Sequence, residues 1–178
     1  MNQLSRRILI VAVLALGSAL FAAPTATAQG EHFTKRGVPV CTDTGTQLQC
    51  TGELAGLGNE DLVIEVTADA LVAVTCVNKG GNEAPGQNKV LRTASGETVI
   101  QGSAIKNGRA RFTTTTDPVE APTAKEAGCP NPNWSTRVVS VTFSNVVVTI
   151  SQGGELLFTC TAESVPEDGS VQLNCEEA

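Results

Sequence analysis

Leu62-Val63-Ile64-Glu65-Val66-Thr67 decides the fold class. Leu62, Ile64 and Val66 alternate with Val63, Glu65 and Thr67, the two-residue period of a strand with one buried face. A second run rich in Val and Ala, Leu71–Val77, follows and ends around Cys76. Before both runs, Gly58-Asn59 marks a turn. After them comes a polar stretch, Asn78–Asn88, and then Glu97–Ile105 and Arg109–Thr116 on either side of Asn107-Gly108. Asn-Gly is a strong short hairpin signal, because both central residues of the tight turn need positive φ. Asp117–Asn133, punctuated by Pro118, Pro122, Pro130 and Pro132, reads as a long connection. Val139, Val141 and Phe143 share one strand face, and Val146, Val148 and Ile150 resume it after an expected break at Ser144-Asn145. Gly153-Gly154 turns the chain into Glu155–Thr161, and Ser170–Cys175 is the last strand. No sustained helical period appears after the first 28 residues. The expected fold is all-β: an immunoglobulin-like antiparallel β-sandwich of about seven to nine short strands, with turns roughly every 8–12 residues.

The chain opens differently. Arg6 and Arg7 precede the apolar run Ile8–Ala23, Pro24 interrupts it, and Ala26-Thr27-Ala28 offers a small-x-small cleavage pattern. The segment 1–28 therefore reads as a secretory signal peptide cut before Gln29. Its apolar core is short for a membrane span, and no second apolar run of about 18 residues follows. The expected organisation is a leader (1–28), a loose, polar N-terminal arm (29–40) and one β-sandwich domain (41–178). The expected location is outside the cell.

Cys41, Cys50, Cys76, Cys129, Cys160 and Cys175 all lie beyond the leader. An even set of cysteines in an oxidising compartment is most simply three disulfides. Six cysteines allow 15 pairings. The preferred set is Cys41–Cys50, Cys76–Cys129 and Cys160–Cys175, the second joining two distant loops at one end of the sandwich. The staples suit a core short of large rings, since the chain has five Phe, one Trp and no Tyr.

Several function classes lack their chemistry. The formal net charge is −6, and loss of Arg6 and Arg7 with the leader makes it more negative still, so nucleic acid and anionic lipid are poor partners. His32, the one histidine, sits in the arm, which disfavours a Ser-His-Asp triad and an activated thiol. No C-x2-C spacing suggests zinc, and no Gly-rich loop suggests a nucleotide. No cofactor or metal is expected. Carboxylates at Glu60-Asp61, Asp117/Glu120 and Glu167-Asp168 leave a carbohydrate-cleaving pair formally open, although solvated turn acids explain them as well.

Two loops stand out as a candidate binding end: Asn78–Asn88, with Asn78, Asn82, Gln87 and Asn88, and Gly128–Trp134, with Asn131, Asn133 and Trp134. Their amides offer paired donors and acceptors, and the indole offers a flat apolar face. That combination suits a sugar or a protein partner outside the cell. The bland alternative is that Trp134 plugs the end of the sandwich and the other residues only make turns. Asn133-Trp134-Ser135 also matches a glycosylation sequon, read as chance in a chain with a bacterial-looking leader.

Gly52-Glu53-Leu54-Ala55-Gly56-Leu57-Gly58, Cys76-x-Asn78, Gly80-Gly81-Asn82, Ala84-Pro85-Gly86-Gln87-Asn88, Ile105-Lys106-Asn107-Gly108-Arg109 and Cys129-Pro130-Asn131-Pro132-Asn133-Trp134 resemble a group of small secreted actinobacterial proteins without an established activity. The resemblance spans most of the chain after the leader. It implies a Gram-positive host and a secreted or wall-associated protein, and it carries no catalytic residue across. The leading expectation is a monomeric, non-enzymatic binding module. The rivals are a small secreted protease inhibitor, with Asn78–Asn88 as its rigid loop, and a carboxylate-based carbohydrate-active enzyme.

Overall fold

The computed structural model describes residues 30–178; the proposed leader lies outside the described residues. Among the described residues eleven strands form two antiparallel sheets: β1 (His32–Phe33), β2 (Val40–Asp43), β3 (Leu48–Ala55), β4 (Leu62–Val77), β5 (Glu83–Pro85), β6 (Val90–Ile100), β7 (Arg109–Thr115), β8 (Ser135–Gln152), β9 (Glu155–Ser164), β10 (Ser170–Gln172) and β11 (Asn174–Glu177). In the first sheet β3 is central, with β7 on one edge and β1 and β2 on the other, and β10 beyond β2. In the second the order is β11-β9-β8-β4, with β5 and β6 sharing the far edge of β4.

The strands are not all short. The two runs Leu62–Thr67 and Leu71–Val77 belong to one strand of 16 residues, and β8 runs for 18. The expected break at Ser144-Asn145 is a bulge instead. The register slips between Thr67 and Asp69, opposite Ser144 and Val147. Asn145 takes φ 50°, and its Nδ2 donates to Asp69 Oδ2 at 2.8 Å across the kink. A bulge absorbs one extra residue and bends the strand without ending it. It also restores phase, so that Val141 and Phe143 before it and Val146, Val148 and Ile150 after it all face inward.

The core is built from those side chains, from Leu62, Ile64, Val66 and Val72 of β4, and from Leu48, Leu54 and Phe112 of the facing sheet. Each such side chain contributes about 1.5–3 kcal/mol on full burial. The sheets also meet at their corners. Residues 170–177 pair first with β2 and then, past buried Leu173, with β9, so one run of chain serves both sheets. At the opposite corner Asp117 N–H donates to Ser95 O at 2.8 Å, bringing β6 beside β7.

Two further expectations need correction. Gly30–Val40 is not a loose arm: His32 and Phe33 pair with Ala55 and Leu54, Thr34 N–H donates to Glu53 O, and Phe33 packs against Phe158 with the rings tilted at 45° and their centroids 4.6 Å apart. One aromatic ring and a handful of backbone bonds hold a segment whose sequence shows no strand period. Nor does Asn107-Gly108 join two paired strands. Both residues have positive φ and make the tight turn, yet β6 pairs with β4 and β7 with β3. The short 3-10 turn Gly102–Ala104 redirects the chain, anchored by Gly102 N–H on Asp61 Oδ1 at 2.8 Å.

Candidate functional site

The connection between β7 and β8 builds the candidate end. At its centre Thr123-Ala124-Lys125-Glu126 forms a capping box around a single helical turn. Glu126 Oε2 accepts from the Thr123 N–H and hydroxyl, both at 2.8 Å, and Glu126 N–H donates to Thr123 Oγ1 at 3.3 Å. The turn closes through Gly128 N–H to Lys125 O and Cys129 N–H to Ala124 O, with Gly128 at φ 66°. Those two bonds and a left-handed glycine are the helix stop that leaves the next residue at a fixed exit. The next residue is Cys129, bonded to Cys76 at the end of β4. The Arg92 guanidinium also binds Glu126, at 3.0 Å. These bonds, those from Thr123 first, hold the Glu126 carboxyl down at about 2.

All three disulfides join the expected partners. Cys41–Cys50 and Cys160–Cys175 link residues directly opposite in neighbouring strands, with Cα atoms 4.0 and 3.9 Å apart. Cys76–Cys129 does not join two loops as expected: Cys76 lies in β4, paired with Ala84 and Thr136, and the bond clamps the loop at Cys129 to the end of that strand.

Beyond that clamp, Asn78, Lys79 and Gly80 face Asn131, Asn133 and Trp134 across an open hollow of about 310 Å³. Both rims are ordered from within. Asn78 Oδ1 accepts from Gly80 N–H at 2.8 Å and Asn82 N–H at 2.9 Å. Asn131 Oδ1 accepts from Asn133 N–H at 2.8 Å, and Asn131 O accepts from Trp134 N–H at 3.1 Å. The Asn78 and Asn131 carbonyl oxygens thus stabilise turns. Trp134 is half-buried and belongs neither to the core nor to the side chains packed on it.

The structure therefore brings Asn78, Asn131, Asn133 and Trp134 together and leaves the other three candidates off this hollow. Asn82 shapes the turn through its backbone. Asn88 braces the capping-box loop, its Nδ2 donating to Glu126 O at 3.1 Å and its N–H to Ala127 O. Gln87 Nε2 reaches Pro85 O of its own segment at 3.5 Å. Lys79, outside the candidates legible in the sequence, adds a cation to the rim. The bracing itself had a readable signal in Thr-x-x-Glu followed by Gly128.

The candidate carboxylates are spread over different parts of the surface. Asp61 accepts from Gly102 N–H. Asp117 lines a shallow hollow beside β6, and Glu167 and Asp168 line another between the turn after β2 and β8. Among the described residues no group of three or more His, Cys, Asp or Glu side chains is placed to hold a metal, and every cysteine is in a disulfide. No described helix is long and apolar enough to cross a membrane. No protein-family model, curated protein or solved structure matches the chain.

Proposed function

We propose that this chain is an extracellular, non-enzymatic binding module of immunoglobulin-like architecture, and that the hollow between Asn78–Gly80 and Asn131–Trp134 is its recognition end. The observation that carries this reading is the position of Trp134. The lone indole lies outside the core, on a loop braced by a disulfide, a capping box and an Asx turn. Rigid loops lower the ordering cost of binding. A flat apolar ring beside amide donors and acceptors suits the alternating apolar and hydroxyl surface of a glycan. Three disulfides and the leader-like opening support an oxidising, extracellular setting. The resemblance to secreted actinobacterial proteins points to wall polysaccharide as the first ligand class to try.

The chain has one tryptophan and no tyrosine, so its emission reports Trp134 alone. Titration with soluble wall glycans should shift or quench that emission saturably. Trp134→Ala, followed by calorimetry, should abolish binding while the thermal transition stays in place. Glycan binding that survives this substitution would remove the assignment of this end.

A further inference from the structure

A second surface lies on β8. Its inner edge pairs with β4 along its whole length, but its outer edge pairs with β9 only from Ser144 to Gln152. After Val165 the chain leaves that lane, and residues 166–169 cross to the other sheet. From Ser135 to Thr142 the lane beside β8 holds no strand among the described residues. In an antiparallel ladder, alternate residues turn their N–H and C=O groups to opposite sides. Phe143 O accepts from Val165 N–H at 3.0 Å, so Phe143 faces outward. Val141 shares that phase, and the described residues give its outward groups no backbone partner beyond the ladder.

We propose that this open half of β8 accepts one short, extended, cationic peptide strand from another protein, added in the lane that β9 vacates. Three features choose the occupant. A crevice of about 170 Å³ runs along Val138–Val141, and its far wall carries Asp43, Glu167 and Asp168 with no basic residue. The Asp43 carboxylate is engaged by the Gly45 and Asp168 N–H groups, which leaves Glu167 and Asp168 as exposed charges for a partner. Val139 is 64 % exposed, the most exposed of the large apolar side chains among the described residues. It is also the extra residue of a second bulge, where the β4 register slips between Ala73 and Val74. A bulge blunts an edge against long, flat pairing, which limits any added strand here to a short one. A net charge of −6 disfavours a second copy. A short strand alternating Val with Lys or Arg fits both the ladder and the acidic wall.

The test uses the oxidised chain, a heptapeptide alternating Lys or Arg with Val, and the same peptide with Glu for every cation. Residue-resolved amide exchange should show added protection at the outward-facing amides of Val138–Val141, Val141 among them, with the cationic peptide only. Glu167→Lys combined with Asp168→Asn should weaken that peptide about tenfold, as loss of charge complementarity at a rim does, and added salt should weaken it too. Three results would overturn the proposal: no protection at those amides with millimolar peptide, equal affinity in the charge variant, or protection that rises with protein concentration alone. The last would make a second copy the occupant. Because Trp134 stands outside this crevice, Trp134→Ala should leave peptide binding unchanged, which separates this site from the glycan reading.

Discussion

Thr114 shows how single atoms carry information in a core this small. It lies on β7 opposite Cys50, is wholly buried, and its hydroxyl has no hydrogen-bond partner among the described residues. A buried polar group without a partner costs about 1–3 kcal/mol. Thr114→Val keeps the branched shape and removes the orphan. It should raise unfolding free energy by about 1 kcal/mol, read as a higher denaturant midpoint with an unchanged slope. Gln152 is the opposite case. Its Oε1 accepts from Gly58 N–H at 2.9 Å, and its Nε2 donates to Glu60 O at 2.8 Å, so one buried amide fastens the loop before β4 to the end of β8. Neither role is legible in sequence, because a Thr on a strand and a Gln before Gly-Gly look like ordinary solvent-facing residues until the opposite sheet is in place.

At the scale of elements, the capping-box turn links the core to the candidate site. Thr123→Ala removes the hydroxyl partner of Glu126 and should cost about 1 kcal/mol, as loss of a helix cap does. Its effect should reach the loop end as faster amide exchange over residues 129–134. The same unit gives a pH signature. Glu126 ordinarily ionises near 4.5 and is held here at about 2, chiefly by Thr123 and then by Arg92. Its folded value is the lower one, so the stabilisation is fully present above about pH 4.5 and lost as pH falls from there towards 2. Unfolding midpoints should therefore drop across that window, and Glu126→Gln should flatten the drop while lowering the midpoint at pH 7. Close packing of elements gives a further prediction. A Cβ on Gly96 would strike Thr115 O, where β6 passes β7. Gly96→Ala should cost about 1–3 kcal/mol through backbone displacement, measured by thermal melting. Alternating Leu62–Val66 made the strand legible, but Gly96 carried no sign of the neighbour that excludes a side chain there.

Across the whole molecule, the disulfides divide by what they constrain. Cys41–Cys50 and Cys160–Cys175 span 9 and 15 residues within ladders that already pair. Cys76–Cys129 spans 53 residues and joins segments with no ladder between them. Chain entropy makes the long closure worth about 4 kcal/mol and the short ones roughly 2.5–3 each. Cys76→Ser with Cys129→Ser should therefore lower stability the most of the three paired removals. It should also red-shift Trp134 emission in the still-folded protein, as the rim of the hollow loosens. An unchanged emission would mean that the capping box alone positions the indole.

By itself, the sequence determined the strand-forming character of the chain. Period-two alternation and β-branched residues are local properties, and Leu62–Val66 and Val146–Ile150 display them wherever they pack. It also determined that six cysteines pair among themselves, and that the Asn, Gly and Pro segments turn. Only the tertiary structure decided which strands share a sheet, that Ser144-Asn145 bulges instead of breaking, and that Phe33 ties the N-terminal segment to Phe158. It alone placed Asn131 and Trp134 opposite Asn78, put Asn88 to structural use, and left one edge of β8 without a paired strand over half its length. Those outcomes depend on contacts between residues far apart in the chain, which strand periodicity does not encode.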